Sequence, residues 1–308
     1  MSAWVLGFDL GGTKLSWVVA NQRGKVLHYE SVPLFISKNP SPEKAKKTVI
    51  DLMAKVISEG FDKNLLGVGI ASAGPLNTNS GMLIDPSNFP RWGKFPLIKT
   101  LRERLKSKKI NLPVHFQNDA MAAALGEGWV GAAKGLDNFI VVTLGTGIGT
   151  GIILNGKPAM CNGMGGEWGN QIVDQKGLHF DGNIYDHTVE GIASGMAIVS
   201  RAFKLGFSGS SVEDLVLEIV RGNNRYRSLF SDAAKGLAVL CYNLSLGFCP
   251  EKILFSGGLI NVSEYFWDEL VERYGQLMRP RHKSFMAPLE IAKLGVQAGA
   301  IGAAGMAI

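Results

Sequence analysis

The sequence has few cysteines, no hydrophobic run of transmembrane length and no concentrated basic tract. Its cysteines are Cys161, Cys241 and Cys249, and their spacing matches no zinc motif. An odd number of thiols without metal spacing favours reduced cysteines in the cytoplasm. No apolar stretch approaches the roughly 20 residues that span a bilayer, and the N-terminus lacks the pattern of a secretory signal. We therefore predict a cytoplasmic protein without a membrane partner.

The charge balance favours small anionic partners over nucleic acid. The formal net charge is +6 over 308 residues, and the basic residues are scattered, with short groups such as Lys106–Lys109 among apolar residues. This pattern is typical of solvated helix faces, and no basic stripe interleaved with aromatic residues predicts nucleic-acid binding. A mildly basic protein attracts anions such as nucleotides. The length favours two domains of ordinary size.

Glycine, in contrast, is abundant, with 39 residues that often follow apolar runs. In Phe139–Gly156, two β-branched runs flank a turn that has glycine at alternate positions from 145 to 151. Such runs around a glycine turn predict a β-hairpin. Glycines let a phosphate approach the backbone N–H groups closely, and Thr143, Thr146 and Thr150 add hydroxyl donors. The stretch is therefore either a phosphate cradle or an ordinary glycine-rich turn.

Other glycine-rich phosphate loops match this stretch poorly. A Rossmann fingerprint opens a helix, whereas this chain leaves the turn as a second apolar strand. A Walker loop ends in Gly-Lys-Ser/Thr, which is missing here. Trp4–Asn21 repeats the layout, with Gly11-Gly12-Thr13 between two apolar runs. Two such hairpins, one near the start of each half, indicate two related domains that hold one phosphate chain between them.

Two aspartates stand where predicted strands end. Asp9 precedes the first glycine turn, where a carboxylate can hold Mg²⁺ against a phosphate; capping the turn is the alternative. Asp119 follows the predicted strand at 114–117 and begins a predicted helix. It is either a helix cap or a general base at the carboxyl end of a strand, where ligands bind in α/β folds.

Three further segments carry polar groups with two interpretations each. Glu167 lies in a glycine-rich loop and Glu190 at a helix start, and each either caps or binds, since acidic residues favour a first helical turn in any case. The segment Asp85–Trp92 is either a proline-rich connection or a sugar contact through Asn88 and an aromatic ring.

Capping and breaking residues predict the bounds of several other elements. Ser41 is predicted to cap a helix that runs to Glu59 and closes at Gly60, and Ser263 to cap a helix that runs towards Leu277. The last strand is predicted at 289–294 and the last helix at 296–307.

Five segments, in this order along the chain, resemble a family pattern: Asp9–Lys14 (DLGGTK), Asn118-Asp119, Thr143–Gly151 (TLGTGIGTG), Phe255–Leu259 (FSGGL) and the terminal LGVQAGAIGAAGMA. Over essentially its whole length the chain resembles the ROK family (repressor, ORF, kinase) of bacterial sugar kinases, within the actin-like/hexokinase superfamily. The resemblance implies an α/β fold of two actin-like, ribonuclease H-like domains with the active site in the cleft between them. It places residues 1–117 with 295–308 in the smaller domain and residues 118–294 in the larger one.

The resemblance also implies the chemistry: transfer of the γ-phosphoryl group of ATP to a sugar hydroxyl, usually at carbon 6 of a hexose. Asp119 would be the general base, and Asp9 would hold Mg²⁺. Sugar contacts are implied for Gly74, Asn88, Asn118, Asp119, Glu167, Asn170 and Glu190. Contacts to the nucleotide are implied for Asp9, Gly11, Gly12, Thr13, Lys14, Thr143, Gly145, Thr146, Gly147, Gly257 and Gly258. The implied cofactors are ATP and Mg²⁺, and family members are often homodimers or higher homo-oligomers.

The chain departs from the family at one segment. Many members carry Glu-x-Gly-His and then a cysteine cluster that binds structural zinc with that histidine. Here the first motif is Glu167–Asn170, with Asn170 in place of the histidine, and residues 175–188 contain no cysteine. Zinc needs four well-placed N or S ligands, and His179 and His187 alone do not supply them. We predict no zinc site, and the departure leaves the identity of the sugar open.

Three functions compete at this stage. The first is an ATP-dependent hexose kinase of glucokinase type, with an N-acetylhexosamine kinase as the near alternative and polyphosphate as a variant donor; the FSGGL motif favours a nucleotide. The second is a sugar-responsive repressor, which would carry a helix-turn-helix domain before Asp9, where the chain leaves no room. The third is an inactive sugar-binding relative, against which the presence of both Asp9 and Asp119 argues.

Overall fold

The computed structural model describes residues 3–34, 41–61, 64–86, 88–89, 91–159, 162–174 and 183–308. The strands are β1 Trp4–Leu10, β2 Lys14–Asn21, β3 Val26–Pro33, β4 Leu65–Ser72, β5 Leu76–Asn77, β6 Met82–Ile84, β7 Lys94–Phe95, β8 Val114–Asn118, β9 Phe139–Leu144, β10 Ile148–Leu154, β11 Lys157–Pro158, β12 Lys252–Ser256 and β13 Leu289–Ile291. The α-helices are α1 Pro42–Phe61, α2 Leu97–Ser107, α3 Asp119–Val130, α4 Val189–Ala193, α5 Gly195–Lys204, α6 Val212–Val220, α7 Arg227–Phe248, α8 Trp267–Leu277 and α9 Ala298–Gly305. Short 3-10 helices occupy Trp168–Asn170, Ile184–His187, Asn224–Tyr226, Gly258–Tyr265, Pro280–Phe285 and Gly295–Gln297.

Two five-stranded sheets with the same layout form the framework. The first has the order β3-β2-β1-β4-β8 and the second the order β11-β10-β9-β12-β13. In each sheet the central strand pairs antiparallel with the strand that follows it, through a glycine turn, and parallel with the fourth strand. The two predicted hairpins and the predicted fold of two related α/β halves are confirmed.

Each sheet is covered on both faces, and alternation along the strands decides which residues face which layer. On β1, Leu6, Phe8 and Leu10 pack against α1 and α2, whereas Val5 packs against α9. On β9, Ile140 and Val142 belong to the core that includes α7, whereas Phe139 and Val141 pack with α3. The inner faces of the two sheets are therefore those covered by α9 and α3.

The helices α3 and α9 cross each other between the two sheets, with backbone against backbone. A Cβ on Gly302 would lie 1.6 Å from the carbonyl oxygen of Ala122, and one on Gly7 would lie 2.0 Å from that of Ala300. Glu127, which is fully buried, accepts hydrogen bonds from the N–H groups of Ala132, Lys293 and Leu294. It thereby ties the end of α3 to the segment that leads into α9.

The C-terminal helix thus packs on the first sheet although it follows the second in the sequence. The predicted division of the chain into residues 1–117 with 295–308 and residues 118–294 remains a prediction about which parts move as units. Within the part of the chain that the structure describes, no helix has the length and hydropathy to cross a membrane.

Four predicted element bounds were wrong. The helix α1 passes through Gly60 and ends at Phe61. Ser263 caps no helix, because Gly258–Tyr265 forms its own 3-10 helix and α8 begins at Trp267. The strand β13 covers only the three residues that pair with β12, and α9 begins at Ala298 because a 3-10 turn precedes it.

Candidate active site

Asp9 is the penultimate residue of β1 and lies on the inner face of the first sheet. It lies two residues beyond Gly7 and therefore on the same face, and a Cβ on Gly299 in α9 would be 2.7 Å from its Oδ2. Burial, and then the charge of Asp119, raise the pKa of Asp9 to about 7, and Lys14 opposes this shift. The carboxylates at the ends of β1 and β8 are therefore close enough to interact.

Asp119 lies at the junction of β8 and α3. Its Oδ1 accepts a hydrogen bond of 2.8 Å from the N–H of Ala120. Burial raises the pKa of Asp119, and backbone N–H bonds from Ala120 and from Asp119 itself lower it by a smaller amount. A carboxylate whose proton affinity is raised in this way suits a general base.

The helix cap of α3 is Asn118, so the alternative role of Asp119 as that cap was wrong. The Asn118 Oδ1 accepts hydrogen bonds from the N–H groups of Ala120, at 3.0 Å, and Met121, at 3.3 Å. The amide nitrogen of Asn118 is directed elsewhere, and a Cβ on Gly74 would lie 3.5 Å from it. The backbone bonds fix the Asn118 amide, and its N–H₂ group lies beside the loop of Gly74.

The first glycine turn lies beside the loop that carries Asn88. Gly11 donates its N–H to the Lys14 carbonyl oxygen at 3.0 Å, and Thr13 accepts the N–H of Leu34 at 2.7 Å. A Cβ on Gly12 would lie 2.6 Å from the carbonyl oxygen of Asn88. The turn therefore needs glycine at this position, and the Asn88 side chain is exposed.

The second glycine turn closes between β9 and β10. Gly145 donates its N–H to the Gly147 carbonyl oxygen at 2.9 Å. Thr143 takes the position on β9 that Asp9 takes on β1, and its Oγ1 accepts the N–H of Gly149 at 3.2 Å. A Cβ on Gly149 would lie 2.8 Å from the Cβ of Ala120. The start of α3, and with it Asp119, thus lies against the second hairpin.

The third glycine segment follows β12. Gly257 has φ +98°, and a Cβ there would lie 2.3 Å from the Leu144 carbonyl oxygen. Both the backbone angle and the close approach require glycine. Gly258, in contrast, has open space where its Cβ would be. The FSGGL motif therefore lies next to the second hairpin.

A cavity of about 710 Å³ lies between these turns. Lys14, Gly145, Thr146 and Gly258, for which the family resemblance implies nucleotide contacts, line it. Sequence reasoning missed the opposite wall, which consists of residues from α5, α6 and the 3-10 helix after β12: Gly195, Met196, Val199, Ser200, Phe203, Ser211, Val212, Glu213, Leu259 and Val262.

A signal for this wall is present in the sequence. Met196, Val199 and Phe203 recur at the helical spacing i, i+3 and i+7, yet Met196 and Phe203 stay about half exposed. Such an apolar stripe outside the core is typical of a ligand wall. Because apolar side chains form most of the wall and the glycine turns carry backbone N–H groups, the cavity can hold a molecule with an aromatic base at one end and phosphates at the other.

A second polar region lies close enough to Asp119 for their charges to interact. Burial, and then the charges of Glu190 and Asp119, raise the pKa of Glu167. Asn170 donates its Nδ2–H to the Glu167 Oε2 at 3.4 Å. Glu190 accepts the N–H of Ile148 at 2.6 Å. Glu167, Asn170, Glu190 and Asp119 therefore belong to one acidic region, which can accept several hydrogen bonds from a ligand rich in hydroxyl groups.

The suggestion that an aromatic ring of Asp85–Trp92 stacks on a sugar was wrong for the described rings. Phe89 and Trp92 are buried in the core of the first half, with ring centroids 4.8 Å apart. Burial in the core removes the apolar surface of both rings from water, so neither ring face is open to a sugar. Among the described residues of this segment, Asp85, Asn88 and Arg91 are exposed.

The donor set suits Mg²⁺ better than zinc. Mg²⁺ takes oxygen ligands and is held by one or two carboxylates together with substrate phosphates, and Asp9 offers a half-buried carboxylate with a raised pKa beside the glycine turns. Across residues 3–159 and 162–308, apart from the undescribed gaps, no group of three or more His, Cys, Asp or Glu side chains has the arrangement of a metal site. Cys161 and His179 lie outside the described residues.

Residues 172–174 and 187–188 are hydrogen-bonded to each other, and they flank the segment where many ROK proteins hold zinc. His187 Nδ1 lies 3.2 Å from Asp174 Oδ2, and Val173 donates its N–H to the His187 carbonyl oxygen at 2.9 Å. Ile172 and Thr188 form a β-bridge at the same place. These contacts join residues 172–174 to residues 187–188, on either side of residues 175–182.

Comparison with known proteins extends over the whole molecule. The sequence model of the ROK family matches residues 5–308. The chain is 30% identical to a glucokinase of Thermotoga maritima, over 97% of this chain and 96% of that protein. The ROK hexokinase of Thermus thermophilus superposes with a TM-score of 0.81 at 28% identity, covering 98% of this chain and 97% of that one.

A further solved structure is a ROK glucokinase from Streptomyces griseus in complex with glucose and AMPPNP. It superposes with a TM-score of 0.75 at 27% identity and covers 99% of both chains. Three observations indicate the same family. They are the order of the five sequence motifs, the paired sheets with glycine hairpins, and the match of the family model over residues 5–308. The protein belongs to the ROK family.

Proposed function

We propose that this protein is a sugar kinase that phosphorylates a hexose at its 6-hydroxyl with ATP. The observation that carries the proposal is the position of Asp119. It stands between the two glycine hairpins, interacts with Asp9 on one side and with Glu167 on the other, and has a raised pKa. The relatives named glucokinase and hexokinase, one of them solved with glucose and AMPPNP, support the same activity.

The nucleotide would occupy the cavity of about 710 Å³. Its base would lie against the α5 wall and its phosphates against the turns at Gly11–Lys14 and Gly145–Gly147. Thr143 and the Gly257-Gly258 turn would complete the phosphate side. Asp9 would hold Mg²⁺, which neutralises charge on the phosphates when it is bound.

The sugar would occupy the acidic region. Asn118, Glu167, Asn170 and Glu190 would bind its hydroxyl groups, with Gly74 and Asn88 at the edge of the site. Carboxylates accept hydrogen bonds from hydroxyl groups, and such charge-assisted bonds are stronger than neutral ones. Asn170 adds an amide, which is always neutral, where many relatives carry a histidine.

The chemistry follows from these positions. Asp119 accepts the proton of the attacking hydroxyl group while the bond from that oxygen to the γ-phosphorus forms and the bond from the γ-phosphorus to the ADP oxygen breaks. Positioning and electrostatic stabilisation supply most of the rate in phosphoryl transfer. We further propose that the enzyme works in the cytoplasm, as a homodimer or higher homo-oligomer, without a nucleic-acid partner.

Two variants of the function differ in the ligand. An N-acetylhexosamine kinase would differ from a glucokinase in what it accepts at carbon 2 of the sugar. Polyphosphate would replace ATP as donor, but the apolar wall of the nucleotide cavity favours a base. A ROK-type sugar-binding regulator without activity would not need the pair of Asp9 and Asp119.

The test is ADP production with Mg-ATP across glucose, mannose, fructose, N-acetylglucosamine and N-acetylmannosamine. With the preferred sugar, we expect Asp119→Asn to lower kcat by about 10²–10⁴-fold, the usual contribution of general base catalysis, and to leave the dissociation constant of the sugar within a few-fold of wild type. Asp268→Asn, an exposed first-turn aspartate of α8, is the matched control. Full turnover in Asp119→Asn would refute the base, and saturable sugar binding without turnover by wild type would indicate the regulator.

A further inference from the structure

The turn of the second hairpin is held by the junction of α4 and α5. Gly195 donates its N–H to the Gly145 carbonyl oxygen at 2.9 Å, and Met196 donates to that of Thr146 at 3.4 Å. The third contact comes from a side chain, because the Glu190 Oε2 accepts the N–H of Ile148 at 2.6 Å. The turn that would hold phosphates is therefore fixed in part by a carboxylate.

Glycine at position 147 is what allows this carboxylate to approach. A Cβ on Gly147 would lie 2.6 Å from the Glu190 Oε2 and 3.8 Å from its Oε1. A Cβ on Gly145 would not meet Glu190, because the nearest atom to it would be the Gly147 carbonyl oxygen at 3.9 Å. Gly147 and Glu190 are thus fitted to each other.

The same carboxylate also faces the acidic region. The charge of Glu190 acts on Glu167, whose Oε2 accepts a hydrogen bond from Asn170. Oε2 of Glu190 is occupied by Ile148, and Oε1 lies farther from the turn. One side chain therefore touches the phosphate turn and borders the space in which the sugar would bind.

We propose that Glu190 is a positioning residue that couples sugar binding to the geometry of the phosphate turn, so that sugar and nucleotide bind cooperatively. This inference rests on the proposed function. A sugar hydroxyl that donates to Glu190 fixes the orientation of the carboxylate and with it the Ile148 N–H and the turn Gly145–Gly147. Without the carboxylate, Ile148 loses a charge-assisted hydrogen bond, and the junction of α4 and α5 holds the turn through the N–H groups of Gly195 and Met196.

Coupling of this kind is reciprocal, since each ligand changes the affinity of the other by the same factor. The quantity to measure is that factor. Isothermal titration calorimetry gives the dissociation constant of AMPPNP with Mg²⁺, without sugar and with saturating sugar. For wild type, using the sugar that supports turnover, we expect affinity for AMPPNP to rise about 5–150-fold when sugar is bound, the usual range of such coupling.

Three variants separate positioning from sugar binding. Glu190→Ala should bring the coupling factor close to one and should weaken AMPPNP binding even without sugar. Glu190→Gln keeps an oxygen that can accept the Ile148 N–H and should restore most of the sugar-free AMPPNP affinity. Glu167→Ala removes a neighbouring carboxylate whose hydrogen bond goes to Asn170 rather than to the turn, so it should weaken sugar binding but keep the coupling factor at saturating sugar.

A second pair of variants tests the same contact by substitution of glycines in the hairpin turn. Gly147→Ala should displace Glu190 and weaken sugar binding measured without nucleotide, whereas Gly145→Ala has room for its Cβ and should not. Melting temperatures confirm that each variant is folded. If Glu190→Ala and Gly147→Ala keep the wild-type coupling factor, the inference is wrong and the kinase function stands. If wild type binds neither sugar nor AMPPNP, the proposed function itself fails.

Discussion

At the residue scale, the site concentrates carboxylates that raise one another's proton affinity. Burial raises the pKa of Asp9, Asp119 and Glu167. The charge of Asp119 adds to the shift at Asp9, and the charges of Glu190 and Asp119 add to the shift at Glu167. Like charges placed together cost stability in the free protein. Perturbed groups of this kind cluster at functional sites, and here Mg²⁺ and sugar hydroxyl groups are the partners that would relieve the cost.

Asp9 gives this cost a pH dependence. Its pKa rises from 3.8, the value for the unfolded chain, to about 7 in the folded protein. The folded state therefore binds the proton more tightly, and the penalty grows as the pH rises from about 4 to about 7 and is constant above. Asp9→Asn removes the penalty. We expect the variant to melt at a higher temperature than wild type by a margin that widens across this range, measured without Mg²⁺ by differential scanning calorimetry.

Asp268→Asn is again a suitable control, because this exposed aspartate of α8 should give a margin that does not change in this way. A margin for Asp9→Asn that is the same at pH 5 and pH 8 would contradict the assignment of a raised pKa to Asp9. At pH 8, adding Mg-ATP should raise the melting temperature of wild type above that of Asp9→Asn, because only wild type has the carboxylate that would hold the cation.

At the scale of elements, small residues set the distance between the two sheets. The crossing of α3 and α9 places Gly302 against the Ala122 carbonyl oxygen and Gly126 against Ala298. Both helices reach the site: α3 begins at Asp119, and Gly299 of α9 lies next to the Asp9 carboxylate. A change in the crossing therefore alters the positions of the two aspartates together.

One added methyl group at this crossing should destabilise the protein. In Gly302→Ala the new Cβ would lie 1.6 Å from the Ala122 carbonyl oxygen, so the helices must separate. We expect unfolding free energy to fall by about 3 kcal/mol, the upper part of the usual range for overpacking, and kcat to fall with it. Chemical denaturation and steady-state kinetics measure the two.

The matched control is Gly247→Ala, which makes the same change in helix α7. Its Cβ meets nothing within 4 Å, so replacing glycine at this exposed position of the helix should stabilise the protein by about 0.5–1 kcal/mol. Equal effects of the two substitutions would show that helix propensity, rather than the close crossing, determines the loss.

At the scale of the whole molecule, the two halves present their glycine hairpins to a common space. Asp9 and Thr143 are the penultimate residues of the central strands β1 and β9 and lie on the faces covered by α9 and α3. Ligands between the halves contact both, so their binding should draw the halves together and exclude water, which otherwise competes with the sugar as acceptor.

Small-angle X-ray scattering can detect this closure. We expect the radius of gyration to decrease when the sugar and AMPPNP with Mg²⁺ are both present, and to decrease less with either ligand alone. Glu190→Ala should still bind both ligands at high concentration, but sugar alone should decrease its radius of gyration less than that of wild type. A radius of gyration that stays constant on saturation would contradict closure. Domain bounds at residues 117 and 295 predict which segments move as units.

Local sequence chemistry was sufficient for much of the site. Apolar β-branched runs around Gly11–Thr13 and Gly145–Gly147 predicted both hairpins, because turn and strand preferences act over a few residues. The succession of a strand, Asn118-Asp119 and a helix placed Asp119 at a strand end. Element bounds were less accurate, as with the helix start at Trp267, because capping competes with the tertiary contacts of each segment.

What the sequence by itself determined was therefore the set of turns, their order and the residues that follow strand ends. Only the tertiary structure decided which of these meet. The contact of Glu190 with Ile148, the return of α9 to the first sheet and the burial of Phe89 and Trp92 join segments far apart in the chain. Such contacts depend on how whole layers pack, because the burial of apolar faces, rather than any local preference, fixes the arrangement of the layers.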